Sequence, residues 1–191
     1  MILAGERAAA RYANQEALRF FEQATQQVNA LSDPPLDLRY RVAVGLGDVH
    51  REMGQYVDSR AALEQELSLV DSGDLAERQQ AGLNLRLGET SRRQGDPEAA
   101  HDYSSRALHL LGEPDDRETQ TEAVRLLTNL AWIHFSQGQF EQALERCQDG
   151  LTLAERAGAL NELSAVENLL GGIHYSQSQW SEALHHTTRA M

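Results

Sequence analysis

The 191-residue chain contains no lysine: all 17 of its basic side chains are arginine. That absence removes Schiff-base chemistry, a lysine general base and the phosphate-gripping lysine of a P-loop. Cysteine occurs once, as Cys147, which excludes an internal disulfide and a multi-cysteine zinc site. Aromatic residues make up only 6% of the chain. No apolar run approaches the roughly eighteen residues that a membrane span requires. The opening MILAGERAAARYANQEAL has no basic segment leading into an apolar block, so it does not read as a signal peptide. These absences predict a cytoplasmic protein without a membrane partner. Positive charge is also short, with 29 carboxylates against the 17 arginines and a net of −12. Such a surface repels phosphate backbones, which argues against a nucleic-acid partner.

What is present is helix-forming composition, long stretches of Ala, Leu, Glu, Gln and Arg, arranged as a repeat. The stretches IHFSQGQFEQAL (residues 133–144) and IHYSQSQWSEAL (residues 173–184) are near copies. Three further stretches join the same frame. A small residue recurs at Gly5, Gly47, Gly88, Ala131 and Gly171, with spacings of 42, 41, 43 and 40 residues. Seven positions later stands a turn residue: Tyr12, Gly54, Gly95, Gly138 and Ser178. Five beyond it lies another small residue: Ala17, Ser59, Ala100, Ala143 and Ala183. A last set reads Phe21/Ala24, Leu63/Glu66, Ser104/Ala107, Cys147/Gly150 and Thr187/Ala190.

Helical spacing supports the frame. Val42, Leu46, Val49 and Met53 fall on one helix face, and the small residues allow two helices to approach closely. Gly54, Gly95 and Gly138 stand where a helix must end at positive φ. GDPEAA offers Asp96 as an N-cap and Pro97 at the first helical position. SDPPLD, DSGDLAE and GEPDDRE each join a breaker to helix-starting acids, and Asp74 with Glu77 has capping-box spacing. Strand-like alternation is missing, so the expected fold is all-α.

This pattern resembles the tetratricopeptide repeat, over nearly the whole chain and in five imperfect copies. The period is about 42 residues rather than the usual 34 or so. It is thus more similar to the long-period arrays of multidomain bacterial signalling and regulatory proteins. The resemblance implies one domain over residues 1–191, a right-handed superhelix (α-solenoid) of antiparallel helix pairs. Its approximate units are 1–33, 34–73, 74–113, 114–157 and 158–191. Both ends read as cut, because solenoids normally carry capping units. The expectation is therefore a fragment of a larger protein, the alternative being a short protein that self-associates through uncapped ends. In the multidomain relatives such a region follows a signal-transduction NTPase module.

Catalytic patterns fail. Gly45-x-Gly47 lacks a third glycine, since His50 stands there, and no strand precedes it. His50, His134 and His174 share a repeat position, but neighbouring repeats lie two helix-packing distances of about 8–10 Å apart. A zinc ion needs its nitrogen ligands at about 2 Å, so these histidines are expected to pack between helices instead. His185 and His186 are expected on the surface. Cys147 takes a large-residue position and reads as a packed thiol rather than a nucleophile. No catalytic, metal or cofactor residues are assigned.

What remains is a surface for a protein or peptide. The resemblance implies a concave groove lined by the first helix of each pair. Carried onto this sequence, it comprises Val44, Asp48, Arg51 and Glu52; Leu85, Glu89, Arg92 and Arg93; Arg125, Thr128, Trp132, Phe135 and Ser136; and Asn168, Gly172, Tyr175 and Ser176. Arginines lead to an aromatic patch of Trp132, Phe135 and Tyr175, which suits a peptide with an acidic and an apolar end. The chaperone-tail specificity of the family is not expected, because Val44/Asp48 and Leu85/Glu89 replace its clamp. Asn129 and Asn168 are the only echo of the asparagine-rich grooves of bacterial peptide-pheromone receptors. The function expected is a non-catalytic interaction or scaffolding module in a signalling protein, with a peptide-sensing receptor domain as the alternative.

Overall fold

The computed structural model describes residues 1–70 and 77–191, which form ten α-helices in two compact units, Met1–Gly95 and Asp96–Met191. The expected capping pair Asp74–Glu77 cannot be followed, since Asp74 lies outside the described residues.

The first unit holds α1 (Ile2–Ala9), α2 (Asn14–Asn29), α3 (Leu36–Glu52), α4 (Tyr56–Val70) and α5 (Glu77–Gln94). Short turns fold α1 to α4 back on one another, α5 packs on α4, and α1, α3 and α5 also touch in series. The small residues of the repeat explain the close approach. A Cβ on Gly5 would sit 2.9 Å from the Phe21 ring, and one on Gly47 would sit 2.7 Å from Leu63. Phe21 and Leu63 are themselves at most 1% exposed. Full burial of such side chains stabilises by about 1.5–3 kcal/mol each. The sequence frame thus pairs its first small position with the large residue sixteen further on. Val49 and Met53 join Phe21 in one cluster, and Val42 joins Ala24 and Val28 in another, as the spacing of α3 predicts.

The second unit holds α6 (Pro97–Leu111), α7 (Arg117–Ser136), α8 (Phe140–Ala157), α9 (Leu160–Ser176) and α10 (Trp180–Arg189). Its core gathers Val124, Ala131, Cys147, Val166, Leu170 and Ile173. Ala131 and Cys147 repeat the small-to-large pairing, and Gly171 approaches Thr187 in the same register, at 2.7 Å from a built Cβ. The Asp96 side chain caps α6, accepting from the Ala99 N–H at 3.0 Å with Pro97 at the first helical position. Asp116 caps α7 in a reciprocal box with Thr119, an arrangement worth roughly 1 kcal/mol.

All five turn positions adopt left-handed backbone, with φ between 59° and 86° at Tyr12, Gly54, Gly95, Gly138 and Ser178. Three are glycines, which reach this region without strain. Tyr12 and Ser178 are the positive-φ residues with side chains among the described residues. In four of the turns, the N–H one residue later closes onto a carbonyl five residues back. Gln139 donates to the His134 carbonyl at 2.9 Å, and Gln179 donates to the His174 carbonyl at 2.9 Å. This is the Schellman pattern of a helix C-terminus.

Candidate interaction faces on the first helices of each pair

In the first unit the groove-type positions on α3 and α5 fall into a ladder of ion pairs. Arg86 Nε donates to Asp48 Oδ2 at 3.1 Å. Arg51 Nη1 lies 2.9 Å from Asp48 Oδ1 and 3.1 Å from Glu89 Oε2, and Arg93 Nη1 lies 3.6 Å from Glu52 Oε1. Arg51 is 8% exposed, so its charge is spent inside the protein rather than offered to a ligand. The ladder continues to α1, where Arg41 meets Glu6 at 2.8 Å. Burial works against the charge of Arg86, but Asp48 together with Tyr40 and Glu89 more than offsets it and holds the guanidinium above its ordinary value. Arg92 is half-buried, and that burial pulls it below the arginine range. Arg93 and Glu52 are exposed. Leu85, a groove position in the sequence frame, is 1% exposed and belongs to the core.

The second unit presents a different surface. Trp132 on α7 is 38% exposed and Tyr175 on α9 is 64% exposed, while the two helices pack on each other. Asn168, two helical turns before Tyr175 on α9, is exposed, and Arg125 and Thr128 are half-buried on α7. Phe135 is half-buried because it tilts against Phe140, which opens the next helix, at 6.1 Å between ring centres. Tyr175 makes the equivalent edge-on contact with Trp180 at 5.1 Å. The aromatic after each histidine therefore braces its own hairpin. Asn129, by contrast, is buried and donates to Ser104 Oγ at 2.7 Å, leaving Asn168 as the accessible asparagine of the two.

The repeated histidines have a second role, at their own turns. His50, His134 and His174 are half-buried, and each shares an Nδ1 hydrogen bond with a glutamine five residues on. Gln55 lies at 2.8 Å, Gln139 at 2.6 Å and Gln179 at 2.5 Å. Each glutamine is the residue just before the second helix, so the pair clasps the turn. Two of the rings also touch the neighbouring helix, as packing residues should: His134 meets His101 edge-on at 6.1 Å, and His174 stacks on His186 at 5.2 Å. The signal was legible, because His-x-x-x-x-Gln recurs three times in the sequence. His186 corrects the surface expectation. It is half-buried and bonds through Nδ1 to Glu167 Oε2 at 2.7 Å, with Arg189 Nε 3.0 Å from the other oxygen. Glu167 is fully buried. His185 is exposed.

Cys147 is fully buried, and burial pushes its thiol up to about 12, so no thiolate exists at neutral pH. No group of three metal-ligating side chains converges among the described residues. No helix of the described residues is long and apolar enough to cross a membrane.

Paired helices of regular period, locked by small residues and closed by left-handed turns, define a helical-hairpin repeat protein of the tetratricopeptide class. Residues 4–191 match the model of the MalT-like TPR region, and the chain belongs to that family. A search of curated proteins returns no match. Among solved structures, the chain is similar to BtubC (BKLC) from P. vanneervenii, at 16% identity and a TM-score of 0.79, over 97% of this chain and 75% of that one. It is also similar to the TPR-like repeats of a Podosopora anserina kinesin light chain, at 17% identity and a TM-score of 0.74, covering 99% and 90%. A Rap protein complexed with competence and sporulation factor gives 13% identity and a TM-score of 0.80 over 97% of this chain. The chain spans 50% of that Rap protein. At these identities the likeness establishes the fold alone.

Proposed function

We propose that the chain is a non-catalytic protein-interaction module, the regulatory repeat region of a larger cytoplasmic signal-transduction protein. The observation that carries this reading is the surface of the second unit, where Trp132 and Tyr175 are solvent-accessible on two packed first helices. Large aromatic rings kept accessible on a rigid helix face are what binding hot spots are made of. Asn168 adds an amide that can pair with an extended backbone. The partner segment is an apolar or aromatic peptide, and Arg125 at the edge of the face favours one carrying an acidic residue. The acidic net charge of the chain disfavours nucleic acid.

In the first unit, Asp48, Arg51, Glu89, Arg92 and Arg93 contribute chiefly rigidity to the same function, since Arg51 and its carboxylate partners already pair with one another. A second reading is a receptor for a short peptide, favoured by fold likeness to Rap proteins crystallised with a Phr* peptide and with competence and sporulation factor. Both readings are tested by selecting binding peptides from a displayed random library. Trp132→Ala is expected to weaken selected peptides at least tenfold with the melting temperature held, and Tyr175→Ala to weaken them similarly with a small drop in melting temperature, because its contact with Trp180 is lost too. Unchanged affinity in both variants would remove this face from the function.

A further inference from the structure

The first unit contains a cavity of about 300 Å³, bounded by α2, α3 and α4 and the segment joining the first two. Its apolar walls include Val28, Leu31, Val42 and Leu46, which fits the lower end of small-molecule sites. Two charged side chains, Arg39 and Glu66, also line it. Glu66 is only 6% exposed, although the repeat frame asks for a small residue there and puts alanine or glycine in the other four copies. Its Oε2 meets Arg39 Nη2 in a single contact at 3.4 Å, while its Oε1 is shielded from solvent and has no hydrogen-bond partner.

A buried carboxylate oxygen without a donor costs free energy, of order 1–3 kcal/mol or more for a charged group. Burial accordingly pushes the Glu66 carboxyl above the usual carboxylate range, against the opposing pull of Arg39. Arg39 has the complementary surplus, because a guanidinium carries five N–H donors and one long contact uses little of that capacity. The pair is therefore neutral as a whole, with one acceptor and several donors left over, beside an aliphatic wall. A lone cation or a lone anion would unbalance it, whereas a zwitterion leaves the pocket neutral and completes both ends.

We infer that this cavity is a binding site for a small zwitterion with an aliphatic body, of the kind an apolar amino acid provides. On binding, the Glu66 carboxyl turns to present Oε1 to the ligand ammonium, the ligand carboxylate accepts from Arg39, and the ligand side chain lies against Leu46 and Val42. No bond is made or broken. The site lies wholly within Met1–Gly95, and its occupancy is independent of the peptide face proposed for the second unit. In a regulatory module such a site would let a metabolite report on the first unit.

The test uses the 191-residue chain and three probes that share one branched body. These are L-leucine (both charges), isoamylamine (ammonium only) and 4-methylpentanoate (carboxylate only). Calorimetric titration and amide shifts are recorded for each. Leucine is expected to bind at least tenfold more tightly than either single-charge analogue, with shifts centred on Leu46, Ala62 and Glu66. Glu66→Gln and Arg39→Gln should each cost at least tenfold. Ala62→Leu, which fills the cavity without touching the charges, should abolish binding and keep the melting temperature, so that a poorly folded charge variant leaves the test decisive. Equal binding of all three probes, shifts elsewhere, or no binding by leucine overturns the assignment.

Discussion

The two units fold the same repeat with different polar chemistry. Met1–Gly95 carries eleven arginines against fourteen carboxylates, a net of −3, and one of the seven histidines. Asp96–Met191 carries six arginines against fifteen carboxylates, a net of −9, and the other six histidines. The first unit ties its first helices together with Arg41–Glu6, Arg86–Asp48 and Arg51–Glu89. The second ties its hairpins with His–Gln clasps, the Asn129–Ser104 bond and the His186–Glu167–Arg189 group. A helical-hairpin frame fixes where small and large residues go but leaves the polar positions open. Charge pairs consume the face they occupy, so the unit rich in them has less left to offer a partner. The unit that relies on short local clasps keeps Trp132 and Tyr175 accessible.

Both tryptophans, Trp132 and Trp180, lie in the second unit. Their fluorescence reports that unit, while far-UV circular dichroism reports all helices, so the comparison can be broken one side at a time. The largest effect is expected from Arg51→Ala, which removes the buried cation that bridges Asp48 and Glu89 and leaves Asp48 with Arg86. Breaking a buried pair on one side costs about 3–5 kcal/mol, and the partial exposure of Asp48 with its retained contact to Arg86 places this case at the bottom of that range. The dichroism transition should move to lower denaturant before the fluorescence transition does. Coincident loss of both signals would mean that the ladder stabilises the whole chain.

Gly45→Ala comes next, because its Cβ would lie 2.3 Å from the ring of the fully buried Phe21. Over-packing of that kind costs about 1–3 kcal/mol. The partner experiment in the second unit is Gly172→Ala, where nothing lies within 4 Å and helix propensity alone should stabilise by about 0.5–1 kcal/mol. Opposite signs in denaturant melts of the two variants are the expected result. Asn129→Ala follows, leaving Ser104 buried without its donor at a cost of about 1–3 kcal/mol. That loss should appear in tryptophan fluorescence and be insensitive to salt.

The frame of the fold was legible because it rests on sterics that leave a mark at fixed spacing. Gly47 must be small because Leu63 occupies the space, and Gly54 must be glycine because φ is +75° there. Caps such as Asp96 and Asp116 were legible for the same local reason. The sites were less legible, because a charged residue at a groove position reads alike whether it faces a ligand or a neighbouring helix. Arg51 pairs with Asp48 one turn back, but its contact with Glu89 is 38 residues away in sequence and no periodicity reveals it. His186 and Glu167 meet across a helix pair for the same reason. The Glu66 anomaly was visible as a departure from the small-residue column, but only the cavity around it gave that departure a meaning.

The smallest expected effect tests the frame itself. Gly138 and Ser178 are the same turn position in the two stretches IHFSQGQFEQAL and IHYSQSQWSEAL, with φ of 75° and 62°. Left-handed backbone costs a residue with a Cβ roughly 1–2 kcal/mol, which glycine largely avoids. Glycine also loses more chain entropy on folding, which offsets part of that gain. Ser178→Gly should therefore stabilise the second unit by about 0.5–1 kcal/mol, and Gly138→Ser should destabilise it by a similar amount. Neither position touches the core, since a Cβ at Gly138 would meet nothing within 4 Å. The double exchange should then return the fluorescence midpoint close to that of the wild type, because distant independent sites add. If Ser178→Gly destabilises instead, the serine contributes something at that turn beyond its backbone angle, and the two stretches are not equivalent joints.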